Sequence, residues 1–242
     1  MRIKAVVSYN GAVFYGFQTQ KTTQKTVLGT LIKAAKKIGI DSTIVGSGRT
    51  DKGVHATGQV IHFDIPTYWQ NDYQRLKTVY NRLLSPHIQI KTITPASDTF
   101  HARFDAKRRI YRYIFKSTPT TPFESLYMCH LPYINHKKLK VALKLFEGKY
   151  DFCYFHKQGS DPTSTIRTIF KTNIKTFRQY TILYIEANGF LRSQARMIIK
   201  ACVDYMQDNL ALQQIKEQLR GKAVHSTNLV PPQGLYLSRV IY

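Results

Sequence analysis

Strand-like and helix-like apolar patterns alternate along the first half of the chain, and their order restricts the fold more than any other feature. Apolar side chains recur at every second position near 3–9, 61–65 and 88–93, and at helical spacing over 27–38 and 73–84. The connections between these segments are short, which favours a largely antiparallel sheet over a doubly wound one. The sequence therefore predicts an α+β first half.

The second half repeats this theme loosely, as an order of elements rather than as a sequence repeat. The predicted strands are 109–116, 166–177, 180–187 and 235–242, the predicted helices are 139–148, 191–206 and 210–220, and 159–165 is a predicted loop. This order predicts two α+β halves, 1–105 and 106–242, around one extended sheet.

The charge of the chain is strongly unbalanced. Lysine and arginine number 36 against 14 aspartates and glutamates, which gives a formal net charge of +22. Such a balance favours a polyanionic partner, because each neutralised phosphate releases counterions. A hydrophobic fraction of 43% is typical of a globular protein rather than of a disordered tail. Nucleic acid is therefore the expected partner, and a merely basic enzyme is the alternative.

The cysteines argue against a metal site. Cys129, Cys153 and Cys202 are far apart, and no spacing of Cys or His matches a zinc site. A sparse, odd count is typical of a reducing compartment.

The first residues have strand character and lack the apolar core of a secretion signal, and no apolar segment reaches the ~18 residues of a membrane span. We therefore expect a soluble, cytoplasmic protein.

The stretch 46–56, GSGRTDKGVHA, combines three glycines with one carboxylate and two cations. Glycine permits positive φ and close approach of another molecule, and Arg49 favours the ionised form of Asp51. Asp51 is therefore a candidate nucleophile or base, with an ordinary turn that Asp51 caps as the alternative. A phosphate-binding P-loop is excluded, because Lys52 is followed by Gly53 and Val54 rather than by Ser or Thr.

The segment 100–113 interleaves aromatic side chains with cations. Aromatic faces stack unpaired bases and arginines bind phosphates, so the segment is a candidate RNA contact. The alternative is a sheet strand in which Tyr111, Tyr113 and Phe115 form the core face while the arginines are solvated. The five cations are Arg103, Lys107, Arg108, Arg109 and Arg112.

A basic stripe is predicted near the start of the helix at 191–206. Arg192, Arg196 and Lys200 are spaced by four residues and would share one helical face, directly after a predicted strand. A strand–helix junction can direct such cations into a cleft, and a solvated surface is the alternative. His55 and His101 are candidate acid–base groups by residue type, with structural roles as the alternative.

Several of these motifs resemble one known family. Residues 48–56, GRTDKGVHA, resemble the GRTDxGVHA signature of the TruA-type tRNA pseudouridine synthases. Further motifs follow in the family's order over nearly the whole chain. They are YNG at 9–11, GFQ at 16–18, GQV at 58–60, FHARF at 100–104, RIYRY at 109–113, GKYDF at 148–152, IRTI at 166–169, GFL at 189–191 with Arg196, and GLYL at 234–237.

The resemblance implies a fold and an activity. The fold would be two related α+β halves that share an extended, mixed, mostly antiparallel sheet, with helices on one face and a basic cleft on the other. The enzyme would isomerise uridine to pseudouridine in the anticodon stem-loop of tRNA, at positions 38–40. Family members act as homodimers, and one tRNA can span both subunits. The resemblance implies neither a metal nor an organic cofactor, and no membrane.

The resemblance also implies roles for individual residues. Asp51 would be the nucleophile, Arg196 would pair with its carboxylate, and Tyr111 would offer a face to the flipped uracil, which replaces the core interpretation for this one tyrosine. Whether Asp51 attacks C1′ of the ribose or C6 of the base stays open, as does the group that removes the C5 proton. The other substrate-binding residues would be Arg49, Arg103, Phe100, His101, Arg109 and Arg167.

Four positions depart from the family pattern. Asn10 and Phe17 replace the usual Asp and Trp, Lys52 stands where Ala is common, and Arg192 begins a stretch that is usually more aromatic or apolar. These departures concern how the tRNA body is held rather than the catalytic residues.

Two functions of other classes also fit the basic charge. A non-catalytic RNA-binding protein or tRNA-folding chaperone would explain the aromatic–basic segment but would not require Asp51. An enzyme acting on an acidic small molecule would not bind tRNA in a salt-dependent way.

Overall fold

The computed structural model describes residues 1–159 and 162–242, and these form two compact units. The first unit comprises Met1–Lys107 together with Tyr236–Tyr242, and the second comprises Arg108–Leu235. Each unit contains both helices and strands. Among the residues so described, no helix is both long enough and apolar enough to cross a membrane.

The first unit is a sheet with two helices. Its strands are β1 (Arg2–Tyr9), β2 (Val45–Gly46), β3 (His55–Asp64), β4 (Ile88–Pro95) and, apart from its first residue, β10 (Leu235–Ile241); its helices are α1 (Val27–Lys36) and α2 (Tyr73–Leu84), with 3-10 turns at Gly11–Val13 and Thr67–Trp69. The strand order is β4-β1-β3-β10, and β2 also pairs with β3. All of these pairs are antiparallel except β3–β10, where Tyr236 lies opposite His55.

The period-two pattern of β1 explains its place inside this sheet. Ile3, Ala5, Val7 and Tyr9 are all at most 5% exposed, while the residues between them are half-buried. Alternate side chains of a strand point to opposite faces, so one face of β1 is core. The helical spacing of α1 and α2 likewise buries one stripe of each helix. The Tyr80 hydroxyl in α2 donates to a backbone carbonyl of α1, over 2.8 Å.

The second unit has its own sheet and three helices. Its strands are β5 (Arg108–Lys116), β6 (Cys129–His130), β7 (Gly148–Asp151), β8 (Ile166–Phe177) and β9 (Tyr180–Ala187), and its helices are α3 (His136–Lys144), α4 (Gln194–Met206) and α5 (Leu212–Leu219), with a 3-10 turn at Pro232–Gly234. The strand order is β5-β9-β8-β7, all antiparallel, and β6 pairs parallel with β5. Helix α4 is the most buried helix of this unit.

The predicted α+β class is confirmed, with a mixed and mostly antiparallel sheet path in each unit. The strands predicted at 166–177 and 180–187 match β8 and β9. The helix predicted from 191 is shorter, because α4 begins at Gln194. Residues 160 and 161 of the loop predicted at 159–165 lie outside the described residues.

Candidate functional site

Asp51 lies in the loop between β2 and β3, and the residue before it is fixed from two sides. The Thr50 hydroxyl is 2.8 Å from the Tyr9 hydroxyl, and the Thr50 carbonyl accepts the Phe17 N–H over 3.1 Å. Tyr9, Phe17 and Thr50 are buried, whereas Asp51 is half-buried. The Asp51 carbonyl accepts the Val54 N–H over 3.1 Å, which closes the turn. The backbone at Asp51 is therefore held rigidly while its carboxylate lies near the surface.

The start of the same loop is anchored by a buried amide. The Ser47 hydroxyl donates to Gln59 Oε1 over 2.6 Å, and Gln59 Nε2 donates to the Gly48 carbonyl over 2.8 Å. Ser47 and Gln59 are fully buried. Arg49 and Lys52 are exposed, and Lys52 Nζ lies 4.2 Å from the centre of the Tyr15 ring. The loop thus presents cations to solvent on either side of Asp51.

Close backbone packing at this loop requires glycine in the segment that precedes α1. Gly16 has a φ of +101°, and a Cβ there would lie 2.9 Å from the Thr50 carbonyl oxygen. Gly11 has even less room, since its Cβ would lie 2.0 Å from the Val54 carbonyl oxygen. The glycine motifs at 9–11 and 16–18 therefore support the Asp51 loop directly.

His55, a candidate acid–base group by residue type, has a structural environment. Its ring is 1% exposed and stacks on Tyr236 with a centroid separation of 4.7 Å. Its Nδ1 accepts the Gly11 N–H over 2.9 Å. These contacts join the 3-10 turn at Gly11–Val13, β3 and β10, so His55 packs the base of the loop.

Residues 100–105 form a tight turn packed against β3. The Ala102 N–H donates to Nδ1 of the buried His62 over 3.0 Å, and burial lowers the pKa of His62. Phe100 packs against the Tyr242 ring, with centroids 5.0 Å apart. His101 stacks on Phe104 with a centroid separation of 4.3 Å. Phe100 and His101 thus share one turn, together with the exposed Arg103.

In the second unit, the aromatic face of β5 is core. Tyr111, Tyr113 and Phe115 are 7%, 0% and 3% exposed. The Tyr111 ring meets the Phe190 ring edge-to-face, with centroids 4.9 Å apart. The Tyr113 hydroxyl donates to the Pro231 carbonyl over 2.8 Å, and burial raises its pKa. The period-two pattern therefore buries all three side chains, and Tyr111 lies nearest to the segment 189–191.

Arg109 and Arg167 lie near the end of β9 that leads to the segment 189–191. Arg109 donates to the Asn188 carbonyl over 3.0 Å. Arg167 donates to the Ser164 carbonyl over 2.8 Å, and burial lowers its pKa. A Cβ at Gly189 would lie 3.5 Å from the Arg167 side chain. Both arginines are half-buried, so each has limited access to solvent.

Arg196 lies in the first turn of α4 and is held by the C-terminal loop. Its Nε donates to the Val230 carbonyl over 2.9 Å, and the Val230 N–H returns to the Arg196 carbonyl over 3.4 Å. The Arg196 charge also acts on the Cys129 thiol: burial raises the pKa of Cys129, and the positive charge of Arg196 partly opposes that rise. The guanidinium is thus placed by a segment 34 residues further along the chain.

The predicted basic stripe does not exist as one helical face. Ser193 has a φ of +58° and directly precedes α4, so Arg192 lies outside the helix. Arg192 instead donates to the Gln158 carbonyl over 3.2 Å, and its own carbonyl accepts the Lys157 N–H. Lys200 forms an ion pair with Asp204. Of the three cations, Arg196 alone lies in the first turn of the helix.

The loop that holds Arg196 is itself organised by Gln218, which the sequence did not single out. Gln218 is 2% exposed, and its amide makes four hydrogen bonds. Nε2 donates to the Tyr154 and Ser226 carbonyls over 2.8 Å, and Oε1 accepts the N–H groups of His225 and Ser226 over 2.9 Å. A glutamine on a helix carries no sequence signal for this role.

The described residues contain no group of three or more His, Cys, Asp or Glu side chains that could hold a metal ion. The candidate site residues lie on three elements. Asp51 lies on its loop in the first unit, while Tyr111 on β5 and Arg196 on α4 lie in the second.

Comparison with known proteins bears on the whole chain. A family model described as tRNA pseudouridine synthase matches residues 5–105 and 142–242. A Helicobacter hepaticus protein named tRNA pseudouridine synthase A is 40% identical over 249 residues, covering 99% of this chain and 98% of that protein. Proteins of the same name from Wolinella succinogenes and Campylobacter jejuni are 37% and 36% identical, covering 98% and 100% of this chain and 93% and 100% of those proteins.

The family model matches a segment in each half, and the similarity to these relatives extends over almost their full length. The chain therefore belongs to the family of TruA-type tRNA pseudouridine synthases, which are isomerases.

Proposed function

We propose that this protein isomerises uridine to pseudouridine in the anticodon stem-loop of tRNA, at positions 38–40, with Asp51 as the nucleophile. The observation that carries the proposal is the signature at 48–56, with Asp51 on a loop whose backbone is fixed and whose carboxylate is half-buried. The net charge of +22 supports a polyanionic substrate.

The reaction needs no co-reactant, because product and substrate are isomers. The N1–C1′ bond breaks, the uracil rotates, and a C5–C1′ bond forms. The proton on C5 is lost, and N1 gains a proton from solvent or from a protein group. A target base must first leave its stack, at a cost of a few kcal/mol, and the detached uracil must be retained in its pocket while it rotates.

Asp51 is the proposed covalent catalyst. An ionised carboxylate attacks an electrophilic carbon and splits one difficult step into two easier ones. The hydrogen bonds at Thr50 support this role, because a fixed backbone restricts where the Asp51 carboxylate can point. The loop glycines support it as well, since glycine lets another molecule approach the backbone closely.

Arg196 is the proposed partner of the Asp51 carboxylate during the reaction. A charge-assisted hydrogen bond would keep the carboxylate ionised and fix its direction. Arg196 already uses Nε to contact the Val230 carbonyl. The terminal nitrogens of the guanidinium are therefore the groups proposed to meet the carboxylate.

Tyr111 is the proposed stacking surface for the flipped uracil, and the remaining contacts position the RNA. Arg49 is exposed and would contact a phosphate or fill the space of the flipped base. The other proposed substrate contacts are Phe100, His101, Arg103, Arg109 and Arg167. Phosphate contacts of this kind position the RNA without reading its sequence.

The test is tritium release from tRNA that carries 5-³H-uridine. Wild type should release tritium, whereas Asp51→Ala and Asp51→Asn should not, although both should bind tRNA as wild type does. Asp41→Ala, which removes an exposed carboxylate of the first unit, serves as the matched control and should retain full release. Equal tRNA binding with no release by wild type would instead favour a non-catalytic RNA-binding protein.

The sites of modification require a separate measurement. Chemical mapping of pseudouridine in tRNA from cells with and without the protein should show a loss confined to positions 38–40. Loss at other positions would contradict the proposed specificity while leaving the isomerase activity intact.

We further propose that the protein works in the cytoplasm as a homodimer. Sedimentation equilibrium of the free protein should then give twice the chain mass of 28.0 kDa. A single tRNA should engage both copies, which would appear as one tRNA per two chains in a titration at concentrations far above the dissociation constant.

A further inference from the structure

Phe104 presents an aromatic face to solvent on a preformed stack of rings. Its side chain is 73% exposed, although phenylalanine is normally among the most buried residues. One face of the ring is covered by His101, at a centroid separation of 4.3 Å and an interplanar angle of 26°. His101 in turn lies 4.9 Å from the ring of the buried His62. The exposed ring is therefore the outer member of a series that begins in the core.

Backbone hydrogen bonds hold this stack in place. His101 Nδ1 accepts the N–H groups of Arg103 and Phe104, both over 3.2 Å. The His101 N–H donates to the Asp105 carboxylate over 2.8 Å, and the Asp105 N–H donates to the His101 carbonyl over 3.0 Å. The turn is thus closed at both ends, so the ring pair is ordered before any ligand binds.

The charges around the stack suit RNA. The Arg103 guanidinium lies 5.5 Å from the centre of the Phe104 ring. Lys4 lies 5.7 Å from the centre of the neighbouring Phe100 ring. A planar apolar face beside cations is the arrangement that binds an unpaired base together with its phosphate. An apolar protein partner would not need the cations, and a free phosphate would not need the ring.

We infer that Phe104 is a stacking platform for an unpaired base of the tRNA, separate from the nucleotide that is modified. The separation is measured along β3. Tyr9, whose hydroxyl contacts Thr50, pairs with Ala56 of β3, whereas the turn at 100–105 packs on His62 of the same strand. From position 56 to position 62, six residues at ~3.3 Å each make about 20 Å. Phe104 therefore lies several residues along β3 from Thr50 and Asp51, although the Asp51 loop begins near His62, with which Val45 of β2 pairs. The inference rests on the tRNA binding in the proposed function.

The test is tRNA binding by Phe104→Leu, measured by filter binding over a range of salt concentrations. Loss of one base–aromatic stack should weaken binding about five- to 140-fold. The slope of log affinity against log salt should stay unchanged, because no charge is removed. Phe104→Trp should bind as wild type does.

Phe177→Leu is the matched control. Phe177 is 63% exposed and has Arg178 at 5.3 Å from its ring centre, but no ring of the described residues stacks on it. It should bind tRNA within twofold of wild type. A blunt RNA duplex of similar length should bind Phe104→Leu and wild type equally, because it offers no unpaired base.

The inference would be overturned if Phe104→Leu bound tRNA with wild-type affinity. It would also be overturned if Phe177→Leu lost affinity for tRNA to the same extent, or if Phe104→Leu lost as much affinity for the duplex. Because the readout is binding, it remains informative if no tritium is released, in which case the proposed catalysis fails and the stacking contact is still tested. Phe104 is exposed, so all variants should fold, as thermal melting would verify.

Discussion

The Tyr9 hydroxyl lies 2.8 Å from the Thr50 hydroxyl, and this buried pair fixes the residue next to Asp51. Tyr9 ends β1 opposite Ala56 of β3, so the sheet itself determines where Thr50 is held. Burial keeps the pKa of Tyr9 well above its usual range, and the tyrosine stays protonated. The core of the first unit is thus connected directly to the Asp51 loop.

Tyr9→Phe should therefore affect both stability and catalysis. The buried Thr50 hydroxyl loses its partner, which should lower the free energy of unfolding by about 1–3 kcal/mol. A displaced Asp51 loop should lower kcat by up to about 100-fold, with tRNA affinity unchanged. Urea unfolding and single-turnover tritium release measure the two effects. Tyr73→Phe, which removes only an exposed contact to the Met1 sulfur, should match wild type in both.

Gly16→Ala tests the close approach of the preceding segment to this loop. An alanine at position 16 would need a positive φ, and its Cβ would lie 2.9 Å from the Thr50 carbonyl oxygen. Gly221→Ala is the control, because Gly221 also has positive φ (+70°) but open space at its Cβ. Both substitutions should cost about 1–2 kcal/mol for the left-handed backbone, and only Gly16→Ala should also lower kcat. An equal kcat for the two variants would mean that the contact with Thr50 has no catalytic effect.

Gln218→Ala tests the support of Arg196. Removing the amide leaves the half-buried backbone groups at Tyr154, His225 and Ser226 without this partner, so the loop that ends at Val230 should loosen. We expect a lower kcat with unchanged tRNA affinity, because Arg196 is proposed to act on Asp51 rather than on phosphate. Gln213→Ala, which removes an exposed bond to Glu217, should leave kcat unchanged. A fall in affinity without a fall in kcat would place Arg196 among the RNA contacts instead.

Much of this arrangement could be predicted from local patterns. The period-two strands at 166–177 and 180–187 were predictable because alternate burial leaves a direct trace in the sequence. The burial of Tyr111, Tyr113 and Phe115 follows from the same rule, although Tyr111 was assigned to the substrate by resemblance.

Other features depend on contacts between distant segments and leave no local trace. Spacing alone placed Arg192 and Arg196 on one helix, but the positive φ of Ser193 separates them. His55 is a candidate acid–base group by residue type, but in the folded chain its ring stacks on Tyr236. The Val230 carbonyl that holds Arg196 is 34 residues away, and no spacing rule relates the two. Long-range hydrogen bonds of this kind require the tertiary structure.

The ion pair between Lys116 and Glu124 predicts an acid-sensitive step in the second unit. Lys116 Nζ lies 2.6 Å from Glu124 Oε2, and the Lys116 side chain is only 8% exposed. The hydrogen bond from Lys116, with that from the Thr121 N–H, lowers the pKa of Glu124 to about 2. Because the folded pKa lies below the unfolded value of 4.5, the stabilisation is complete above pH 4.5 and is lost as the pH falls toward 2.

A double-mutant cycle of Lys116→Met and Glu124→Gln isolates this pair. The coupling between the two side chains, from urea unfolding, should be favourable at pH 7 and should decrease steadily between pH 4.5 and pH 3. Glu124→Gln alone should be destabilising at pH 7, since it leaves the buried Lys116 ammonium without its carboxylate. Its difference from wild type should narrow over the same acid range. A coupling that stays constant from pH 7 to pH 3 would show that Lys116 does not lower the pKa of Glu124 in the folded chain.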